Sequence, residues 1–271
     1  MMDWGLLAKP QADGSDIAAI EWLLRHSPPP WHPSDPPPPA PADAARVAGG
    51  VSVGLDGGAI LCAPRFAPVQ GVPATLIDAI ALVRHWPVMD RQWPRIVHQI
   101  QCFTDTETPP DARLGSCSHN VRERFGVIAM TTDCPLGTAQ AIVHETAHHK
   151  LRAMGVDNET ATRIIRNPTD QLFYSPVVGH PRPMTALLHA HYSFLHVIEL
   201  DLALLRAESD PVRRTGIVTL LGRNMPRVAE SGRSIERHAM PDETGKDFIA
   251  AVLAWTAEAL AEGETILRQY A

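Results

Sequence analysis

Two histidines four residues apart, His144 and His148 in the stretch AIVHETAHHK (141–150), are the side chains of this sequence best spaced to do chemistry. On a helix they lie about 40° apart around the axis and one turn apart along it, so their rings can converge on one metal ion. Glu145 falls between them in angle and is suited to hold a metal-bound water or to steady a ligand by a hydrogen bond. His149, about 140° from His144, points elsewhere. The pattern H-E-x-x-H does not choose its metal, because neutral imidazole suits zinc, iron, copper and nickel alike.

Two chemistries share this pair. In a zinc peptidase His144 and His148 would hold Zn(II) while Glu145 acts as general base on a bound water. The peptidase templates fit poorly beyond the motif. Leu151 and Met154 stand where a metzincin has glycine and histidine, and Glu159 follows too closely to be the later-helix glutamate of a thermolysin-like enzyme. Otherwise a third ligand must come from the segment 171–205, QLFYSPVVGHPRPMTALLHAHYSFLHVIELDLALL. There His189, Tyr192 and His196 share one helix face. His189 and His196 are about 10 Å apart along the axis, so only one of them can bind the ion, and His191 lies about 200° from His189. Arg182 stands just before this helix, where free N–H groups already favour an anion and a guanidinium could grip a carboxylate through two hydrogen bonds.

The combination of IVHETAHHKL with FYSPVVGHPRPMTALLHAHYSFL resembles the HEXXH-motif family of peptide-modifying proteins associated with ribosomally synthesised bacterial peptides. The likeness spans roughly residues 140–200. It implies a non-haem Fe(II), 2-oxoglutarate-dependent oxygenase that hydroxylates the β-carbon of a residue in a precursor peptide. Position by position, His144 and His148 match the motif pair, His189 the third histidine, and Arg182 the arginine of the PRP sequence. Ala190 departs from the family's usual glycine, and His149 and His191 are additional histidines. In that scheme Arg182 would seat the distal carboxylate of 2-oxoglutarate, with Tyr174 or Lys150 assisting, and Glu145 would support the site rather than act as a base. A third reading is a catalytically inactive peptide-binding module whose histidine pair is only structural.

These residues need elements to hold them. Apolar Ile142, Leu151 and Met154 mark residues 138–154 as a helix that Gly155 stops. Further helices are expected at 74–86, from about 183 to 207, within 211–238 and from about 244 to 268. RIVHQIQCF (95–103) and FGVIAM (125–130) read as strands, and the second is expected to offer an exposed edge to a peptide. VSVGLDGGAILCAPRF is expected to form a hairpin around Asp56, Gly57 and Gly58. Ahead of it, nine prolines in the fifteen residues of SPPPWHPSDPPPPAP (27–41) impose an extended strap. Ser15 or Asp16 is expected to cap a short helix with Ile17, Ile20 and Leu24 on one face. The expected class is α+β, predominantly helical, with a small sheet preceding the motif helix, which packs on a second long helix. The expected organisation is a helical segment 1–26, a proline-rich linker 27–45 and one metal-dependent catalytic domain 46–271.

The bulk numbers narrow the partners. A net charge of −6 gives no overall electrostatic reason for a nucleic-acid or membrane-surface partner. No apolar run approaches the roughly 18 residues that span a bilayer. Cys62, Cys102, Cys117 and Cys134 have no C-x-x-C spacing, and the first residues lack the pattern of a secretory signal. The expectation is a cytoplasmic protein with reduced thiols.

Overall fold

A computed structural model describes residues 2–27, 30, 45–55, 58–109 and 114–270. Almost all of the proline-rich segment, and residues 56 and 57 at the centre of the expected hairpin, lie outside these. In chain order the elements are α1 (Ser15–His26), β1 (Ala45–Arg46), β2 (Ser52–Val53), β3 (Phe66–Pro68), α2 (Ala74–Val83), α3 (Pro87–Ile96), β4 (Gln99–Asp105), β5 (Ser118–Asn120) and β6 (Val127–Thr131). There follow α4 (Pro135–Ala153), β7 (Leu172–Ser175), β8 (His180–Pro183), α5 (Met184–Ala207), α6 (Pro211–His238) and α7 (Glu243–Leu267). The fold is α+β and predominantly helical. Among the described residues no helix is long and apolar enough to cross a membrane, and the four cysteines are free thiols. The chain divides into two compact units, Pro30–His149 and Met1–Pro29 with Lys150–Ala271.

In the unit Pro30–His149 a mixed sheet runs in the order β1-β2-β4-β6-β5, with β3 also on β4. β4 and β6 pair in parallel from Gln99↔Val127 to Phe103↔Thr131, and β5 closes the sheet antiparallel to β6. Successive residues of a strand point to opposite faces. Phe103 and Ala129 therefore share one face, where they pack with Leu61. Ile100, Ile128, Met130, Ser118 and Asn120 share the other, which receives α4.

Several local expectations are corrected. The strand expected over 95–103 begins at Gln99, because Arg95 and Ile96 complete α3, whose buried Met89, Gln92, Trp93 and Ile96 repeat at helical spacing. Among the described residues the hairpin expected over 51–66 does not form: β2 pairs with β1 and β4. The second apolar run is instead anchored by Gln101, which accepts from the Ile60 N–H at 2.8 Å and donates to the Gly58 carbonyl at 2.7 Å, with Arg124 donating to the same carbonyl at 2.8 Å. FGVIAM contributes β6, which is flanked by β4 and β5 and so is an interior strand. α1 starts where expected, but Asp16 is fully buried rather than capping, and Leu23 is buried more deeply than Leu24.

In the other unit α5 packs on α6 and α7 and touches the hairpin β7–β8. Side-chain caps open the last two helices: Asp210 accepts from the N–H groups of Val212 and Arg213, and Asp242 from those of Thr244 and Gly245.

Candidate metal centre

α4 is set against the sheet by close approach at its start. A Cβ on Gly137 would fall 2.1 Å from the backbone carbon of Gly115, so only glycine lets the first turn sit that near. Thr138 donates to the Thr131 carbonyl at 3.3 Å. Further along, the His149 ring lies edge-on to Phe125 with centroids 4.9 Å apart. His149 is therefore part of the packing under α4 and, as its angle indicated, turns away from the His144 and His148 pair.

His144 and His148 meet as their spacing requires, with their Nε2 atoms 3.0 Å apart and rings nearly perpendicular. Two neutral ring nitrogens at that distance repel unless a proton or a cation lies between their lone pairs, so the geometry suits a shared metal ion. Loss of solvent lowers the His144 pKa from its ordinary value, an effect the nearby Glu145 charge partly offsets. Burial thus favours the neutral imidazole that a metal needs. A carboxylate oxygen of Glu145 and the two ring nitrogens all lie within 4.8 Å of one another.

Glu145 is almost fully buried and held from β5. The Ser118 hydroxyl donates to its Oε1 at 2.6 Å, and the Asn120 amide donates to its Oε2. Ser118 and Asn120 can act together because they are two residues apart on one strand and so share the face that α4 covers. Neither was anticipated from the sequence. Their signal is two short polar residues alternating in a three-residue strand, too brief to stand out as a period.

No family model matches the chain. No curated protein matches it either.

The structure thus brings together His144, Glu145 and His148. The remaining expected site residues, Lys150, Tyr174, Arg182 and His189, belong to the other unit, and their surroundings there revise some of the roles assigned to them. Lys150 is fully buried, with its ammonium 2.9 Å from the equally buried Asp16 carboxylate. A cosubstrate carboxylate would have to displace Asp16, so the helper role expected of Lys150 gives way to a structural ion pair. Arg182 is half-buried immediately before α5, as expected, with no hydrogen bond or ion pair among the described residues. It pairs with Phe173 across the hairpin, whereas Tyr174 pairs with Pro181. Arg182 and Tyr174 therefore point to opposite faces of the two-stranded sheet and do not reach for one carboxylate together.

The three histidines of α5 separate clearly. His189 is buried and its Nε2 donates to the Val156 carbonyl at 2.9 Å. His196 has Nδ1 on the Tyr192 carbonyl and its ring against Tyr192 and Trp255. Both nitrogens of His191 are used by hydroxyls, Ser231 of α6 and Thr256 of α7, each at 2.9 Å. His191 is thereby a bolt through three helices and drops out as a metal ligand.

That bolt makes stability depend on pH. Burial pushes the His191 pKa down to about 4, from 6.5 in the unfolded chain. Between those values the unfolded state binds more protons than the native state, so stability falls as pH falls through this window. The shift corresponds to about 3 kcal/mol between neutral pH and pH 4. Urea unfolding at pH 7 and near pH 4.5 should show this loss, and His191→Gln, though less stable at pH 7, should flatten the dependence. An unchanged pH slope in the variant would remove His191 as its source.

Proposed function

We propose that the protein is an Fe(II)- and 2-oxoglutarate-dependent oxygenase that hydroxylates a side-chain β-carbon in a ribosomally made precursor peptide. The observation that carries this reading is the placement of Glu145. Both of its oxygens accept hydrogen bonds from β5, so it is tied as a strut beside the two imidazoles. A peptidase base needs an oxygen turned to the metal-bound water. The motif likeness over residues 140–200 supports the same choice.

His144 and His148 would hold the iron, and His189, which the motif likeness matches to the third histidine, is the proposed third ligand. Bound iron with 2-oxoglutarate supplies the oxidising power for hydroxylating an unactivated carbon. The chain's own residues position and shield. Glu145 keeps α4 fixed to the sheet, and Arg182, which has no ion pair among the described residues, offers a guanidinium for the cosubstrate carboxylate. β5 is one edge of the sheet among the described residues, and it replaces β6 as the strand to which an extended peptide could add.

The zinc peptidase remains the second reading, favoured by the proximity of a Glu145 oxygen to the ring nitrogens. Anaerobic addition of 2-oxoglutarate to the Fe(II)-loaded protein should produce a visible charge-transfer band. In air, succinate should form in step with a one-oxygen mass gain in a peptide encoded beside the gene. Peptide fragments under Zn(II), abolished by Glu145→Gln, together with no succinate under Fe(II), would establish the peptidase instead.

A further inference from the structure

A groove of about 460 Å3 lies between β7 and the C-terminal end of α6, lined by Leu172, Phe173, Tyr174, Arg233, Arg237 and His238. We propose that it binds an extended acidic peptide segment, which adds as a strand to β7 and places alternate carboxylates against Arg233 and Arg237. The proposal rests on the reading above only in taking the ligand to be a peptide.

The strand edge is open for a reason written in the sequence. Pro181 and Pro183 have no N–H, so β7 and β8 are bonded through the pairs Phe173↔Arg182 and Ser175↔His180. The N–H and C=O groups of Leu172 and Tyr174 consequently turn away from β8. Neither residue has a backbone hydrogen bond to any described residue beyond the hairpin. Three consecutive strand residues line the groove although neighbouring side chains face opposite ways, so the groove follows the edge of the strand. An unpaired edge of this kind is a template for another chain.

The opposite wall gives the segment its charge. Arg233 and Arg237 are exposed, and neither has a hydrogen bond or ion pair among the described residues. They stand one helical turn apart, about 6 Å. Alternate side chains of an extended peptide repeat at about 6.7 Å, so a segment lying along α6 can set a carboxylate on each guanidinium. Phe173, stacked on His238 with centroids 5.2 Å apart, forms a firm floor. Leu172 and Tyr174, each 55 % exposed, offer apolar contact on one face of the strand. Glu230, also lining the groove, disfavours a further carboxylate near it.

The test uses the full chain without metal and a short fluorescein-labelled peptide alternating glutamate and valine, followed by anisotropy. Binding should weaken by about tenfold or more in Arg233→Glu/Arg237→Glu, and equally when glutamine replaces glutamate in the peptide. Methylating the backbone nitrogens on the edge that pairs with β7 should also abolish it. Both arginines are exposed, and an unchanged circular dichroism spectrum would confirm that the variant folds. No binding, or binding indifferent to these changes, overturns the proposal. So does preference for a single-stranded oligonucleotide over the acidic peptide, which would make this a phosphate site, or self-association of the chain through β7. Because no metal is involved, failure here leaves the charge-transfer and succinate assays to judge the oxygenase independently.

Discussion

Replacing either His144 or His148 with alanine should strip the protein of tightly bound divalent metal. The two Nε2 atoms converge at 3.0 Å from one face of one helix, so neither can be substituted by a neighbour on α4. Losing an outer partner of a metal ligand already costs 10–100-fold in affinity, and losing a ligand should cost more than about 100-fold. Metal content after dialysis, with titration of Fe(II) under anaerobic conditions and of Zn(II), gives the result. Both rings are only half-buried, so the metal-free variants should melt close to the metal-free parent. Ser118→Ala and Asn120→Ala should weaken metal binding less, by loosening Glu145 without touching a ligand. Stoichiometric metal in His144→Ala or His148→Ala would dismiss the centre altogether.

Breaking the ion pair between Lys150 and Asp16 should cost several kcal/mol of stability, about 3–5 kcal/mol for a single replacement. Both side chains are wholly removed from solvent, and Asp16 also accepts from the Gln11 N–H at 3.0 Å. Burial pulls the Lys150 pKa below its usual value, and the Asp16 charge opposes that pull. Lys150→Met leaves a buried carboxylate uncompensated, at about 3–5 kcal/mol. The double replacement Asp16→Leu/Lys150→Met should cost much less than either single change, because apolar pairs of similar volume often substitute for buried ions. Urea unfolding of the four proteins measures the coupling. A stable Lys150→Met protein that had lost only 2-oxoglutarate binding would return Lys150 to the cosubstrate.

The helices that carry chemistry were legible because long elements repeat their periodicity many times. α4, α5 and α7 lie within a few residues of the spans read from apolar spacing, and the convergence of His144 and His148 follows from helix geometry alone. What escaped depends on short elements and distant partners. β5 has three residues, too few to show an alternation, so neither the hold of Ser118 and Asn120 on Glu145 nor the interior position of β6 could be read. β7 and β8 have four residues each and two prolines, which read as loop, hiding the pairing that sends Arg182 and Tyr174 to opposite faces. The loop after β2 is governed by Gln101, a residue some forty positions away whose amide does the work of a ladder. The role of His191 was hidden because nothing local announces the hydroxyls on α6 and α7 that hold it.

The bond between Asp16 and Lys150 joins residues 134 positions apart. At ordinary translation speeds of about 5–20 residues per second, α1 leaves the ribosome on the order of ten seconds before its lysine exists. During that interval Asp16 has no countercharge from Lys150, and a version of the protein begun at residue 46 would supply the lysine with no carboxylate from Asp16. The helix Ser15–His26 thus belongs to the core of its own unit, although it is made long before the lysine that completes its ion pair.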